Sequence, residues 1–167
     1  MMGSKERAAR VMDGARVEDV TNAGKDAAYR LARVGDGAAL RHALGAENAG
    51  MPPHKDAVPG AGNATIHPDK LRRYVLDPSS ELGGHKARVF AAVLGFSQDN
   101  ARALEFELLR GLPFVGATPR RETAFGRLFS ADIPVTGPGG SGTVRTGWHI
   151  DTGADVPRLV TAYVLRR

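Results

Sequence analysis

Val144-Arg145-Thr146-Gly147-Trp148-His149-Ile150 decides how this chain folds. Val144, Thr146, Trp148 and Ile150 recur at every second position, the period of a strand with one buried face. Thr143, Arg145, Gly147 and His149 occupy the other face, which is polar. Just ahead of it, Thr136-Gly137-Pro138-Gly139-Gly140 is a strong turn signal. Before that turn Phe125, Phe129, Ala131 and Ile133 alternate with polar neighbours, and Pro134 is expected to end that strand or to mark an edge. Beyond a second turn over 151–155, residues 158–165 are rich in β-branched and aromatic types.

Further towards the N-terminus the apolar period becomes helical. Pro68 suits a first helical position, Leu71, Tyr74 and Val75 are expected to share a face, and Pro78 stops the segment. A second helix is predicted over 86–94, with Val89, Phe90, Val93 and Leu94 as its apolar stripe and Gly95 as its stop. Ser97 can cap a third, with Asp99 in its first turn. Its stripe is Ala101, Leu104, Leu108 and Leu112, and Gly111 and Pro113 close it. Helices first and strands afterwards predict an α+β fold, with N-terminal helices followed by a 3–4-stranded antiparallel meander packed on helices.

The domain boundaries follow from composition. Residues 46–65 hold Pro52, Pro53 and Pro59 together with Gly50, Gly60 and Gly62, a composition expected of a semi-extended linker. The compact domain is therefore predicted over 66–167. Residues 1–45 read as short, alanine-rich, weakly amphipathic helices, more an adaptor than a core.

The chain has 167 residues, 42% hydrophobic and 25% charged, values ordinary for a soluble protein. No apolar run approaches the roughly 20 residues that cross a bilayer, and no signal-peptide pattern opens the chain. The expectation is a cytosolic protein or a segment delivered by a larger carrier. Cysteine is absent, which excludes disulfides, thiolate nucleophiles and sulfur-ligated zinc. The formal charge is +5, and from Ala61 onward 14 Lys/Arg stand against 10 Asp/Glu, so most of the excess belongs to the second part. Such a balance favours polyanionic partners, RNA or DNA first. Glu105, Glu107, Asp132, Asp151 and Asp155 show no metal-ligand spacing, and no P-loop or dinucleotide fingerprint is present, so no cofactor is expected.

Two places concentrate chemistry. Gly83-Gly84-His85-Lys86 puts an imidazole and an ammonium behind a glycine pair at a helix start, an arrangement suited to phosphate. Arg145 and His149 share a strand face about 13 Å apart. Were the two places to meet, one imidazole could take the 2′-hydroxyl proton of RNA and the other protonate the leaving oxygen. The cations would then stabilise the phosphorane, and Thr146 and Thr161 could add hydroxyl contacts. Lys86, Arg88, Arg120, Arg121, Arg145 and Arg158 are the candidate nucleic-acid contacts. Each has a bland alternative: Arg145 and His149 as exposed strand residues, Arg120-Arg121 as a solvated loop pair, Trp148 as a core anchor.

Taken as a set, Leu71-Arg72-Arg73-Tyr74-Val75-Leu76, Gly83-Gly84-His85-Lys86-Ala87, Leu94-Gly95-Phe96, Thr136-Gly137-Pro138, Val144-Arg145-Thr146-Gly147-Trp148 and Pro157-Arg158-Leu159-Val160-Thr161-Ala162-Tyr163 resemble an uncharacterised bacterial domain family. Its members are found at the C-terminal tips of polymorphic toxins. The layout is also similar to the barnase–EndoU–colicin–RelE group of toxin RNases. The resemblance implies a C-terminal toxin domain used in interbacterial competition, acting as a metal-independent endoribonuclease on RNA or tRNA. It puts most weight on Lys86, Arg145 and Thr161, because serine is commoner at the position of His85 and apolar residues at that of His149. It further implies a larger toxin carrier or secretion scaffold and a cognate acidic immunity protein. The domain would be made in one bacterial cytoplasm and delivered into another. The alternative is a non-catalytic nucleic-acid-binding or adaptor domain of a secreted effector system.

Overall fold

The computed structural model of the chain describes residues 50–166. The helices expected within 1–45, and the first positions of the expected linker, lie outside the described residues. The chain divides after Gly50, and the sheet and its helices belong to the unit Met51–Arg167.

The sheet is an antiparallel meander of four strands in sequence order: β1 Ala117–Thr123, β2 Gly126–Gly137, β3 Gly140–Asp151 and β4 Arg158–Val164. The fold is α+β. Only Pro138 and Gly139 separate β2 from β3, and this two-residue turn sets an unbroken register from Gly137↔Gly140 to Gly126↔Asp151. Pro134 does not end its strand, as β2 runs on to Gly137. Pairing with β1 stops at Ala131, so Pro134 has a neighbouring strand on one side only and its missing N–H breaks no ladder there. β1 itself was not legible as a strand, because its residues are almost all polar and exposed.

The helical layer is less regular than the sequence suggests. Lys70–Val75 is a π-helix. Its wider turn buries Leu71, Val75 and Leu76 but turns Tyr74 out to solvent, against the shared face expected from a 3.6-residue period. Helix α1, Gly84–Val89, passes into a second π segment, Phe90–Leu94, ended by Gly95 in the left-handed region. Ser97 opens a capping box with Asn100, as its position led one to expect, and a turn of 3-10 helix then feeds α2, Ala101–Gly111.

The core lies between these segments and one sheet face. Phe90, Leu94, Phe96, Leu104, Phe106, Leu108 and Leu112 are buried against Ile133, Val135, Val144 and Trp148. Burying each large side chain contributes roughly 1.5–3 kcal/mol. Thr146 is also fully buried here, so it is no ligand contact. Its hydroxyl accepts from Trp148 Nε1 and donates to the Ala131 carbonyl, both at 2.7 Å, which satisfies the indole.

The expected linker is, in its second part, integrated into the unit. Val58, Ala61, Ala64 and Ile66 are buried, and Thr65 bridges Arg158 in parallel. Prolines and glycines here shape a packed irregular segment that stitches to Pro113, Ala117 and Leu159 through backbone hydrogen bonds.

Candidate functional site on the open face of the sheet

The opposite face of the sheet carries the polar half of the strand alternation. At its lower end β3 presents His149 and Asp151, two positions apart and therefore on one side. His149 Nδ1 lies 2.8 Å from Asp151 Oδ1. Arg158, paired with His149 across the ladder, grips the same carboxylate through Nε at 3.0 Å and Nη2 at 3.1 Å. These contacts, the guanidinium first, hold the Asp151 carboxyl below its ordinary value, so it is ionised at neutral pH. A carboxylate only accepts, so Nδ1–H is the donor in this contact, and the neutral tautomer that makes it has its lone pair on Nε2. The Arg158 Nη2 contact to Nδ1, at 3.5 Å, is too long to reverse that choice.

An open hollow of ≈ 210 Å³ lies beside this group, lined by Arg121, Thr123, Gly126, Leu128, His149, Arg158 and Val160. Gly126 is obligatory: its φ is +142°, and a Cβ there would collide with the Ile150 carbonyl and press on His149 Cε1 at 2.7 Å. Arg121 reaches the hollow because β1 bulges between Pro119 and Arg121. Strict alternation would send consecutive arginines to opposite faces; the bulge lets both bear on this one. Arg120 acts electrostatically on Asp132, and Arg121 lines the hollow, its guanidinium making no hydrogen bond or ion pair among the described residues.

At the upper end Asp132 stands opposite Arg145 in the register. Arg145 clamps it with Nε–Oδ1 at 2.8 Å and Nη2–Oδ2 at 2.9 Å. That clamp, then Arg120, lowers the Asp132 carboxyl, while Asp132 first and Tyr163 second hold the Arg145 guanidinium more firmly protonated than usual. Lys86 Nζ lies 5.2 Å from the centre of the Tyr163 ring, a cation–π contact. Lys86 and Arg145 thus come to one aromatic ring rather than lying on opposite sides. Thr161, half-buried, pairs with Gly147 between the two ends.

Residues 57–166 match a family described as a domain of unknown function (DUF6883). The chain belongs to that family. No curated protein and no solved structure matches it. The DUF6883 region begins inside the expected linker and takes in the whole sheet, which agrees with the packing of Val58, Ala61 and Ala64.

Not every candidate residue of this DUF6883 domain reaches the open face. His85 Nε2 lies 3.5 Å from Arg166 Nη2, past the end of β4, whereas His149 pairs with Arg158 at its start. Eight positions at about 3.3 Å each separate those two arginines along the strand direction. The two imidazoles therefore do not converge, and the two-histidine mechanism is not available. Arg88 Nη1 donates to the Pro78 carbonyl at 3.4 Å. The glycine pair is not a phosphate cradle either. Gly83 N–H donates to Ser80 Oγ and Gly84 N–H to the Ser80 carbonyl, and a Cβ on Gly84 would stand 2.7 Å from the Pro78 carbonyl. Those glycines admit neighbouring backbone.

Three residues of the face escaped the sequence reading: Asp151, Asp132 and Tyr163. The signal for Asp151 was its i+2 spacing from His149, and that for Tyr163 its alternation with Ala162 and Val164. Asp132 needed the hairpin register.

Proposed function

We propose that this domain cleaves RNA without a metal ion, and that it is the toxic end of a bacterial polymorphic toxin. The observation that carries the chemistry is a carboxylate-oriented imidazole, His149, in one open hollow with Arg121, a guanidinium that has no ion-pair partner among the described residues. His149 Nε2 takes the proton of a ribose 2′-hydroxyl, and the 2′-oxygen forms a bond to the adjacent phosphorus. Arg121 and Arg158 carry the charge gathering on the non-bridging oxygens. The bond to the 5′-oxygen breaks, that oxygen takes a proton from water, and a 2′,3′-cyclic phosphate remains. The resemblance to toxin-tip domains supports the biological setting, in which an acidic immunity protein would cover the basic face. Lys86, Arg145 and Arg120 are the contacts for flanking phosphates.

The test is incubation of the full chain with total RNA and with tRNA in EDTA, comparing wild type with His149→Gln and Arg121→Ala. Cleavage that survives EDTA and falls in both variants is expected. Intact RNA with every sample overturns the ribonuclease and leaves the rival, a non-catalytic nucleic-acid-binding module. Cleavage unchanged in His149→Gln removes this mechanism.

A further inference from the structure

Phe125 stands apart from the other phenylalanines. Phe90, Phe96, Phe106 and Phe129 are buried, whereas Phe125 is 81% exposed. A lone exposed apolar side chain is common on protein surfaces and by itself says little. Its mounting is what distinguishes this one. Ala124 and Phe125 form the two-residue turn between β1 and β2, closed by the pair Thr123↔Gly126. The Phe125 N–H donates to Thr123 Oγ1 at 3.1 Å, and its carbonyl accepts from the Thr152 N–H at 3.0 Å. Thr152 Oγ1 also donates to the Ala124 carbonyl at 2.7 Å. A turn pinned from two directions displays its aromatic ring on a stiff tip. Both residues that close the turn, Thr123 and Gly126, line the hollow that holds His149 and Arg121.

A ring fixed one residue from a basic hollow matches the chemistry of a nucleotide, whose flat apolar base hangs beside its charged phosphate. We propose that Phe125 stacks on an unpaired base next to the phosphate held in the hollow, so that the substrate is single-stranded RNA. A base inside a duplex offers no free face, because both of its faces are covered by neighbours in the stack. Stacking is indifferent to base identity, so the site selects strandedness rather than sequence. The rigid tip keeps the ordering cost of binding low. This inference rests on the ribonuclease reading above.

The experiment measures cleavage and fluorescence anisotropy with one labelled RNA, single-stranded or annealed to its complement, for wild type, Phe125→Ala and Phe125→Trp. Thermal unfolding of the variants should match wild type, since the ring is in solvent. Expected are a loss of single-strand affinity of about 5- to 100-fold in Phe125→Ala, near-wild-type behaviour in Phe125→Trp, and poor cleavage of the duplex by all three. Equal affinity of Phe125→Ala and wild type, or equal cleavage of both RNA forms, overturns the stacking role while leaving the ribonuclease standing. Single-strand binding that needs Phe125 but leads to no cleavage overturns the ribonuclease and keeps the stacking site. No binding by any of the proteins overturns both, and points to a protein partner for the exposed ring.

Discussion

The two ends of the open face carry the same kinds of side chain and put them to different use. At the upper end the Arg145 guanidinium spends two nitrogens on Asp132, and Lys86 rests over Tyr163, so charge is matched and space is filled. At the lower end the Asp151 carboxylate is shared by an arginine and a histidine, and the hollow beside them keeps a guanidinium with no ion-pair partner among the described residues. A satisfied pair organises a surface. An oriented base next to an unsatisfied cation can act on something that arrives.

The strongest way to break that contrast is His149→Gln. If the lower end works as a base, cleavage in EDTA should fall about 10²- to 10⁴-fold, and melting curves should show a modest loss of stability beside it, because the His149 side chain is only 18% exposed and is hydrogen-bonded to Asp151. A smaller loss than tenfold would mean the two ends differ in geometry but not in work. Gly126→Ala comes next. A Cβ there meets the Ile150 carbonyl and the His149 ring, so a destabilisation of about 1–3 kcal/mol is expected from the strained backbone. Activity measured on the folded fraction should fall as well, since the imidazole must move. Circular dichroism melts alongside cleavage rates separate the two effects. At the upper end, Arg145→Ala should lower stability only slightly, because the ion pair is more than a third exposed. It should weaken RNA binding by removing one phosphate contact, with a correspondingly shallower salt dependence, and leave the turnover rate near wild type.

Much of this face is legible in the sequence. The parity of Val144 to Ile150 placed Arg145 and His149 on one side, and Trp148 on the other, from the two-residue period alone. The Asp132–Arg145 pair was equally within reach. Once Pro138-Gly139 is taken as a two-residue turn, counting outward from Gly137 and Gly140 lands on those two residues. What could not be read are features in which tertiary packing overrides local pattern. The π-helical turn that expels Tyr74, the bulge that turns Arg121 onto the face and the burial of residues in the apparent linker each depend on neighbours distant in sequence. Alternation puts Phe125 on a strand's core face, but the turn runs one residue further along the chain than the pattern implies, which puts the ring on the turn. His85 failed for a related reason: adjacency to Lys86 in sequence said nothing about which end of β4 it would reach.

The smallest expected effect separates the two carboxylates. Asp132 and Asp151 are both held below the ordinary value of 3.8, each chiefly by hydrogen bonds from its arginine. A carboxyl whose folded value is lowered contributes stability that is present above 3.8 and is lost as the pH falls through the lowered value. Glu105 works in the opposite sense, because burial raises its carboxyl, so its contribution is present in acid and is lost as the pH rises. The acid limb of wild type is therefore a composite, and only the difference between variant and wild type isolates one group. Melting curves between pH 5 and the acid limit, on the order of pH 2–3, should show a slightly flatter acid limb for Asp132→Asn and for Asp151→Asn alike. Cleavage at neutral pH should part them: Asp151→Asn lets the imidazole change tautomer and loses activity, while Asp132→Asn stays close to wild type. Equal losses from the two would mean that the upper clamp positions the reacting phosphate, and the division of the face into a structural end and a working end would have to be withdrawn.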